Sequence, residues 1–223
     1  PLENVPALYQ LWGTMVVIRT VLECAASAGF ILKRQSLMRK DAGGLCVRIL
    51  PDGAPAVVLV HPGSGVVVKL IPERTYHRLG LLRSISFQQC PDVALEIETP
   101  RAKTTVLLFD PKYKMRSEEG NTSEEDEASP PGAPKKVDID KMHAYRDAIR
   151  DADLERVVAY AAILYPGAEV RYAEGIEALN AYPGECDALL SRLRTVIDVA
   201  LSQASQSTRV FEAFTDYSRS NTE

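Results

Sequence analysis

No CxxC pair occurs in this sequence, and its four cysteines (Cys24, Cys46, Cys90, Cys186) lie far apart. That spacing argues against a structural zinc site and a disulfide framework, and fits reduced thiols in the cytoplasm. Histidine is scarce too. His61 and His77 have no acidic or cysteine partner at ligand spacing and read as structural, while His143 reads as a polar helix residue. No apolar run approaches the roughly 20 residues a membrane span needs. Leu11–Val21 is interrupted by Arg19 and lacks the basic start and cleavage site of a signal peptide. No internal repeat is present. A soluble, cytoplasmic chain with no membrane partner is expected, and its start at Pro1 rather than Met suggests a piece of a longer protein.

What is present suffices for one good-sized domain: 223 residues, 46% of them hydrophobic and 25% charged. The net charge of −4 misleads, because Glu118, Glu119, Glu124, Glu125, Asp126 and Glu127 fall together between Ser117 and Ser129. Without those six acids the chain is +2, and its first 90 residues carry ten Lys/Arg against five Asp/Glu. A modestly basic body is compatible with a polyanionic partner, and equally with an ordinary solvated surface. Residues 116–136 are nearly devoid of apolar side chains and are expected to form a mobile acidic loop within the domain.

Periodicity predicts a helix over Leu8–Ala28, stopped at Gly29. Ala56–Val60 and Val66–Ile71 read as a hairpin around the turn His61–Gly65, and Leu45–Leu50 as a further short strand. Asp92–Ile97 and Thr104–Asp110, joined by a short polar turn, read as antiparallel neighbours. A second helix is predicted over Asp138–Asp151 with Asp138 as N-cap, then strands over Arg156–Leu164 and Val170–Ala173, and a last helix over Glu185–Ala204. This order predicts an α/β fold around a mixed sheet.

The chemistry concentrates in "VLLFDPKYK" (Val106–Lys114). Strand alternation points Asp110 and Lys112 to one face, while Pro111 suggests that the strand stops pairing there or lies at an edge. If Asp92, at the start of the neighbouring strand, lies across from Asp110, two carboxylates converge and call for a hard divalent cation. Lys112 beside them would orient a water or stabilise developing charge, as metal-assisted phosphodiester hydrolysis requires. Glu96 shares the strand face of Asp92 and is a candidate supporting residue; Glu98 shares it too and reads as solvated. Lys114 reads as surface, and Arg146 as either solvated or a phosphate contact.

Pro91-Asp92 followed by Asp110-Pro-Lys112 resembles the signature of the PD-(D/E)XK nuclease superfamily. "FDPKYK", "DIDKMHAYRDAI" (Asp138–Ile149), "VVAYAAILYPG" (Val157–Gly167) and "LYQLWGTMVVIRTVLE" (Leu8–Glu23) are together similar to the nuclease domain of McrC and LlaJI-type restriction components. The resemblance covers nearly the whole chain. It implies a restriction-endonuclease-like mixed central sheet flanked by helices, a single nuclease domain over 1–223, and Mg²⁺- or Mn²⁺-dependent cleavage of DNA in a phage-defence restriction system. It also implies a nucleotide-driven motor subunit and a fused N-terminal region as partners. Carried over by residue, Asp92 and Asp110 would bind the metal and Lys112 would be the catalytic lysine. Two departures stand out. A common Q-x-x-x-Y helix motif here reads Lys141-x-x-x-Tyr145, whose side chains share a helix face. The group's first-helix glutamate, in a Y-E-x-W context, is replaced in Tyr9-Gln10-Leu11-Trp12. Gln10 offers only a neutral oxygen, which leaves open a weakened site, an altered one or an engineered substitution. The rival expectations are a nuclease fold kept for DNA binding or subunit docking, and a structural α/β interaction domain with a chance motif.

Overall fold

The computed structural model describes residues 4–41, 44–47, 53–100, 102–113 and 134–220. Helix α1 (Val5–Ser27) starts where the Asn4 side chain accepts a hydrogen bond from the Ala7 N–H at 3.2 Å, with Pro6 in the first turn, where a missing N–H costs nothing. Gly29 ends it at φ 82, a left-handed conformation that a residue with a Cβ resists. Eight strands follow: β1 (Ile31–Gln35), β2 (Met38–Asp41), β3 (Gly44–Val47), β4 (Val57–Val60), β5 (Val67–Pro72), β6 (Arg83–Ser84), β7 (Val93–Glu98) and β8 (Thr105–Pro111). Beyond them come α2 (Lys136–Ala148), β9 (Ile149–Arg150), β10 (Val158–Tyr165), β11 (Val170–Ala173), β12 (Ile176–Asn180) and α3 (Asp187–Ser220). The acidic stretch lies outside the described residues up to position 133, as do Lys114 and the end of the strand expected over Leu45–Leu50.

The main sheet has eight strands in the order β1-β4-β5-β7-β8-β10-β12-β11. β10 runs parallel to both β8 and β12, and the other neighbours are antiparallel. Period-two alternation divides the core. Val93, Leu95, Leu107 and Phe109 face α1 and α3, meeting Val17, Ile18, Val21, Leu193 and Ile197. Ala94, Val106, Leu108 and Ile163 face α2, meeting Ile139, Met142 and Tyr145. By length and hydropathy alone α1 is apolar enough to cross a membrane, a property that Arg19 hid from the run-based reading; here its apolar side packs on the sheet.

Three expectations are corrected. Pro111 is not on an edge: β8 lies between β7 and β10, and Pro111 stays in register with Leu164. The Lys112 N–H points to β10, donating to the Leu164 carbonyl at 2.8 Å. By alternation a donor at 111 would point to β7, whose ladder has already ended at Val93–Phe109, so the proline removes no rung there. The N-cap of α2 is Lys135, with no capping side chain, and Asp138 sits instead in the first turn, where its charge suits the helix dipole. The last helix runs on to Ser220 rather than ending at Ala204.

An ion pair with a buried acid fastens α3 to the sheet. Glu177 on β12 accepts from the Tyr160 hydroxyl at 2.8 Å and from Arg192 Nε at 2.9 Å, with a second contact from the same guanidinium.

Candidate metal centre

The antiparallel register of β7 and β8 ends with Val93 opposite Phe109, so one step further sets Asp92 opposite Asp110. Both side chains fall on the α2 side of the sheet, as the alternation requires. Lys112 Nζ lies 2.9 Å from Asp92 Oδ2 and 2.7 Å from Asp110 Oδ1, so one ammonium serves both carboxylates. From α2, Lys141 Nζ reaches Asp110 Oδ2 at 3.5 Å and sits 5.3 Å from the centre of the Tyr145 ring. The Tyr145 hydroxyl donates to the Cys90 carbonyl at 2.8 Å, fixing the backbone that leads into Pro91-Asp92. The i, i+4 pair on α2 thus serves both halves of the site, one residue touching the acid and the other holding its neighbour's approach.

Burial is extreme for charged groups: the Asp110 side chain is 0% exposed and that of Asp92 12%. Burial pushes the Asp92 carboxyl up to about 7, helped by its hydrogen bond and repulsion with Asp110 and opposed by Lys112. Burial also acts to raise Asp110, but the hydrogen bond from Asp92 and the charges of Lys112 and Lys141 outweigh it and hold this carboxyl below its usual range. Lys112 is raised: desolvation opposes the charged form, and the two carboxylates overcome it. The tyrosine on α2 is raised by burial and then by Asp110. The two acids are therefore coupled, with Asp92 held high and Asp110 held low.

These residues fit a hard divalent cation. Asp110 Oδ1 is buried without a hydrogen bond, since Lys112 Nζ approaches it off the hydrogen-bonding direction. An anionic oxygen in that state is a natural cation ligand, and a dication would add to the neutralisation that Lys112 provides. Among the described residues no three His, Cys, Asp or Glu side chains cluster as a complete metal cage. Mg²⁺ does not need one, since it keeps several waters and uses one or two carboxylates.

Gln10 borders this centre from the other side. With Ala7, Leu11 and Thr14 of α1 it lines a cavity of about 240 Å³ whose opposite wall is Pro72, Glu73 and Asp92. Close packing brings α1 here: a Cβ on Gly13 would stand 2.6 Å from the Pro111 Cβ. The Tyr9 ring lies tilted against Tyr113, centroids 5.4 Å apart, just beyond Lys112. Glu73 was missed by the sequence reading. It adopts φ 47, rare outside glycine, and its N–H donates to the Asp92 carbonyl at 2.8 Å. The only sequence signal was a carboxylate directly after a strand ending in proline.

The other candidates lie elsewhere. Glu96 does not join the acids; buried further along β7, it binds Arg74 Nε at 2.9 Å and the Tyr76 hydroxyl at 3.0 Å. Glu98 pairs with Lys69, and His61 accepts the Ser64 N–H within its turn. Arg146 donates to the Glu174 carbonyl and lies against His143 and Asp147.

A family model described as the PD-(D/E)XK nuclease superfamily matches residues 7–170, a span that includes α1, both acids, Lys112 and the Lys141/Tyr145 helix. Neither a curated protein nor a solved structure matches the chain. The large mixed sheet flanked by helices is a restriction-endonuclease-like arrangement. The chain belongs to the PD-(D/E)XK nuclease superfamily.

Proposed function

We propose that this chain is a Mg²⁺- or Mn²⁺-dependent DNA endonuclease domain of the McrC/LlaJI type, acting in a cytoplasmic restriction system against foreign DNA. The observation that carries the reading is the sharing of Lys112 by Asp92 and Asp110 at the ends of two adjacent strands. Asp92 and Asp110 would hold the cation, which supplies Lewis acidity toward a phosphoryl oxygen when bound. The Lys112 ammonium would orient the attacking water or stabilise negative charge developing on the phosphate. Lys141, more exposed than Lys112, would meet an adjoining phosphate, while Tyr145 keeps Cys90-Pro91-Asp92 in place. Nothing among these residues reads bases, so targeting belongs to a fused region and a nucleotide-driven motor subunit.

A second reading, a weakened nuclease fold serving DNA binding or docking, is favoured by Gln10 facing the Asp92 cavity where a carboxylate would add a ligand. Calorimetric titration with Mg²⁺ and Mn²⁺, run beside cleavage of plasmid DNA, separates the two. The nuclease reading expects metal binding and cleavage in the wild type and loss of both in Asp110→Ala. Absence of metal binding, with cleavage by the full complex unchanged in Asp110→Ala, selects the second reading.

A further inference from the structure

Between β5 and β7 the chain leaves the sheet for an excursion closed at its base by Tyr76 and Gln89, which exchange backbone hydrogen bonds. Four large apolar side chains stand out from it: Leu79 (85% exposed), Leu81 (84%), Phe87 (86%) and Ile85 (51%). Such exposure within nine residues is costly in water and marks a contact surface.

The mount beneath these side chains is rigid. The Ser84 N–H donates to the His77 carbonyl and the Ile85 N–H to the Ala148 carbonyl at the end of α2. β6 pairs with β9, Leu82 turns inward to the core, and the buried Ser84 hydroxyl donates to the Phe87 carbonyl. A floppy loop would collapse its leucines onto the body; this one holds them outward.

The charge of the excursion selects the partner. From Arg74 to Pro91 there is no Asp or Glu, while Arg74, Arg78 and Arg83 are all basic. Arg74 is committed to Glu96, but Arg78 is bound only to the Ser86 carbonyl and, among the described residues, has no carboxylate partner. The turn under Arg83 does carry acids, yet Asp151 is occupied by the N–H groups of Asp153 and Glu155, and Glu155 faces Lys103. An apolar tip flanked by arginine, without acids of its own, suits a polyanion whose interior is apolar.

Position points the same way. Phe87 stands on the return leg that runs straight into Cys90-Pro91-Asp92, so at most roughly 17 Å of extended chain separates it from Asp92. Along one DNA strand that is about five base-pair steps. A phosphate placed at the carboxylates would bring neighbouring base pairs under the excursion.

We propose that residues 77–88 form an apolar wedge that enters the DNA next to the cleavage point. Leu79, Leu81 and Phe87 unstack base steps there, and Arg78 holds the adjoining backbone. The proposal rests on the nuclease reading for the position of the DNA, and adds that this domain deforms the duplex itself.

The test compares the wild type with the triple variant Leu79→Ser, Leu81→Ser, Phe87→Ser, whose exposed positions leave the core intact. A duplex carrying 2-aminopurine at successive positions is titrated in EDTA, and hydrolysis of bis(p-nitrophenyl) phosphate with Mn²⁺ reports on the metal centre alone. The wedge requires a fluorescence rise with the wild type, spread over the probe positions because the domain reads no bases. In the triple variant that rise should disappear, duplex affinity should fall about tenfold or more, and hydrolysis of the small phosphodiester should be unchanged. Equal binding and unstacking by both proteins overturns the wedge, as does wild-type binding without unstacking. Conversion from dimer to monomer in the triple variant, with DNA binding untouched, also overturns it and assigns the face to a second copy. Failure of both proteins to hydrolyse the small substrate counts against the nuclease reading; the wedge is then decided by the fluorescence and affinity alone.

Discussion

Gly13→Ala is the substitution that most directly questions how α1 seats against the candidate metal centre. In an exposed helix this change stabilises by about 1 kcal/mol, because alanine loses less backbone entropy. At position 13 the new methyl would lie 2.6 Å from Pro111 Cβ and 2.8 Å from Cγ, where ordinary contacts begin at 3.4 Å. The proline ring cannot rotate away, and it is carried by a buried interior strand, so helix or strand must move by most of an ångström. Overpacking of that kind costs about 1–3 kcal/mol. The net expectation is a loss of roughly 0–2 kcal/mol in urea unfolding instead of a gain. The larger effect should be functional, because Pro111 lies between Asp110 and Lys112. A displacement near 1 Å at such a site is expected to lower the rate by up to about 100-fold. Initial cleavage rates and unfolding curves for the two proteins decide it. A Gly13→Ala protein that is about 1 kcal/mol more stable and cuts at the wild-type rate would refute the close seating of α1 on the strand end.

Other expectations follow from the same geometry. Because the folded Asp92 carboxyl is raised from 3.8 to about 7, the metal-free protein binds more protons than its unfolded chain in that interval. Its stability in EDTA should therefore fall as pH rises from about 4 to 7, by about 4 kcal/mol at most; urea unfolding over that range checks the sign, and saturating Mg²⁺ should flatten the slope. Lys112→Met leaves two buried carboxylates without their common cation and should cost about 3 kcal/mol, measured at neutral pH in EDTA, as well as cleavage. Glu177→Gln weakens the pair with Arg192, whose guanidinium is a third exposed, and should lower stability by about 1 kcal/mol while leaving Mg²⁺ affinity, read by calorimetry, unchanged. Glu73→Gly relieves the left-handed backbone and should raise the unfolding free energy by about 1 kcal/mol.

Asp92, Asp110 and Lys112 were legible in the sequence because strand alternation and the spacing of two acids and a lysine are local patterns. The Lys141/Tyr145 pair was legible as one helix face, although only the structure shows the tyrosine holding the Cys90 carbonyl. Glu96 looked equivalent to Asp92 by the same alternation. Parity fixes a face but not a distance along it, and four residues further on the partners are Arg74 and Tyr76. Pro111 misled because the sequence does not tell which neighbour a missing donor would have faced. Strand β1 reads "ILKRQ", with every residue exposed, and carries no alternation to find. β12 hid for the opposite reason: its Glu177 looks like a surface charge until Arg192, from the last helix, is brought against it.

The Tyr9 hydroxyl, on the helix that seats against Pro111, donates to the carbonyl of Ala181, 172 residues later. Glu23 on the same helix is likewise paired with Arg194. Contacts of such long range are late events in folding, since loop closure must precede any reward from them. In a growing chain α1 can meet β7 and β8 first, but its Tyr9 and Glu23 anchors have to wait for Ala181 and Arg194. The wall that carries Gln10 would be pinned beside the Asp92 cavity only after those two residues had been made. A chain made only as far as α2 would then hold its acids and lysine beside a helix not yet tied down, so the candidate centre is enclosed only after the strands that carry its acids have been made.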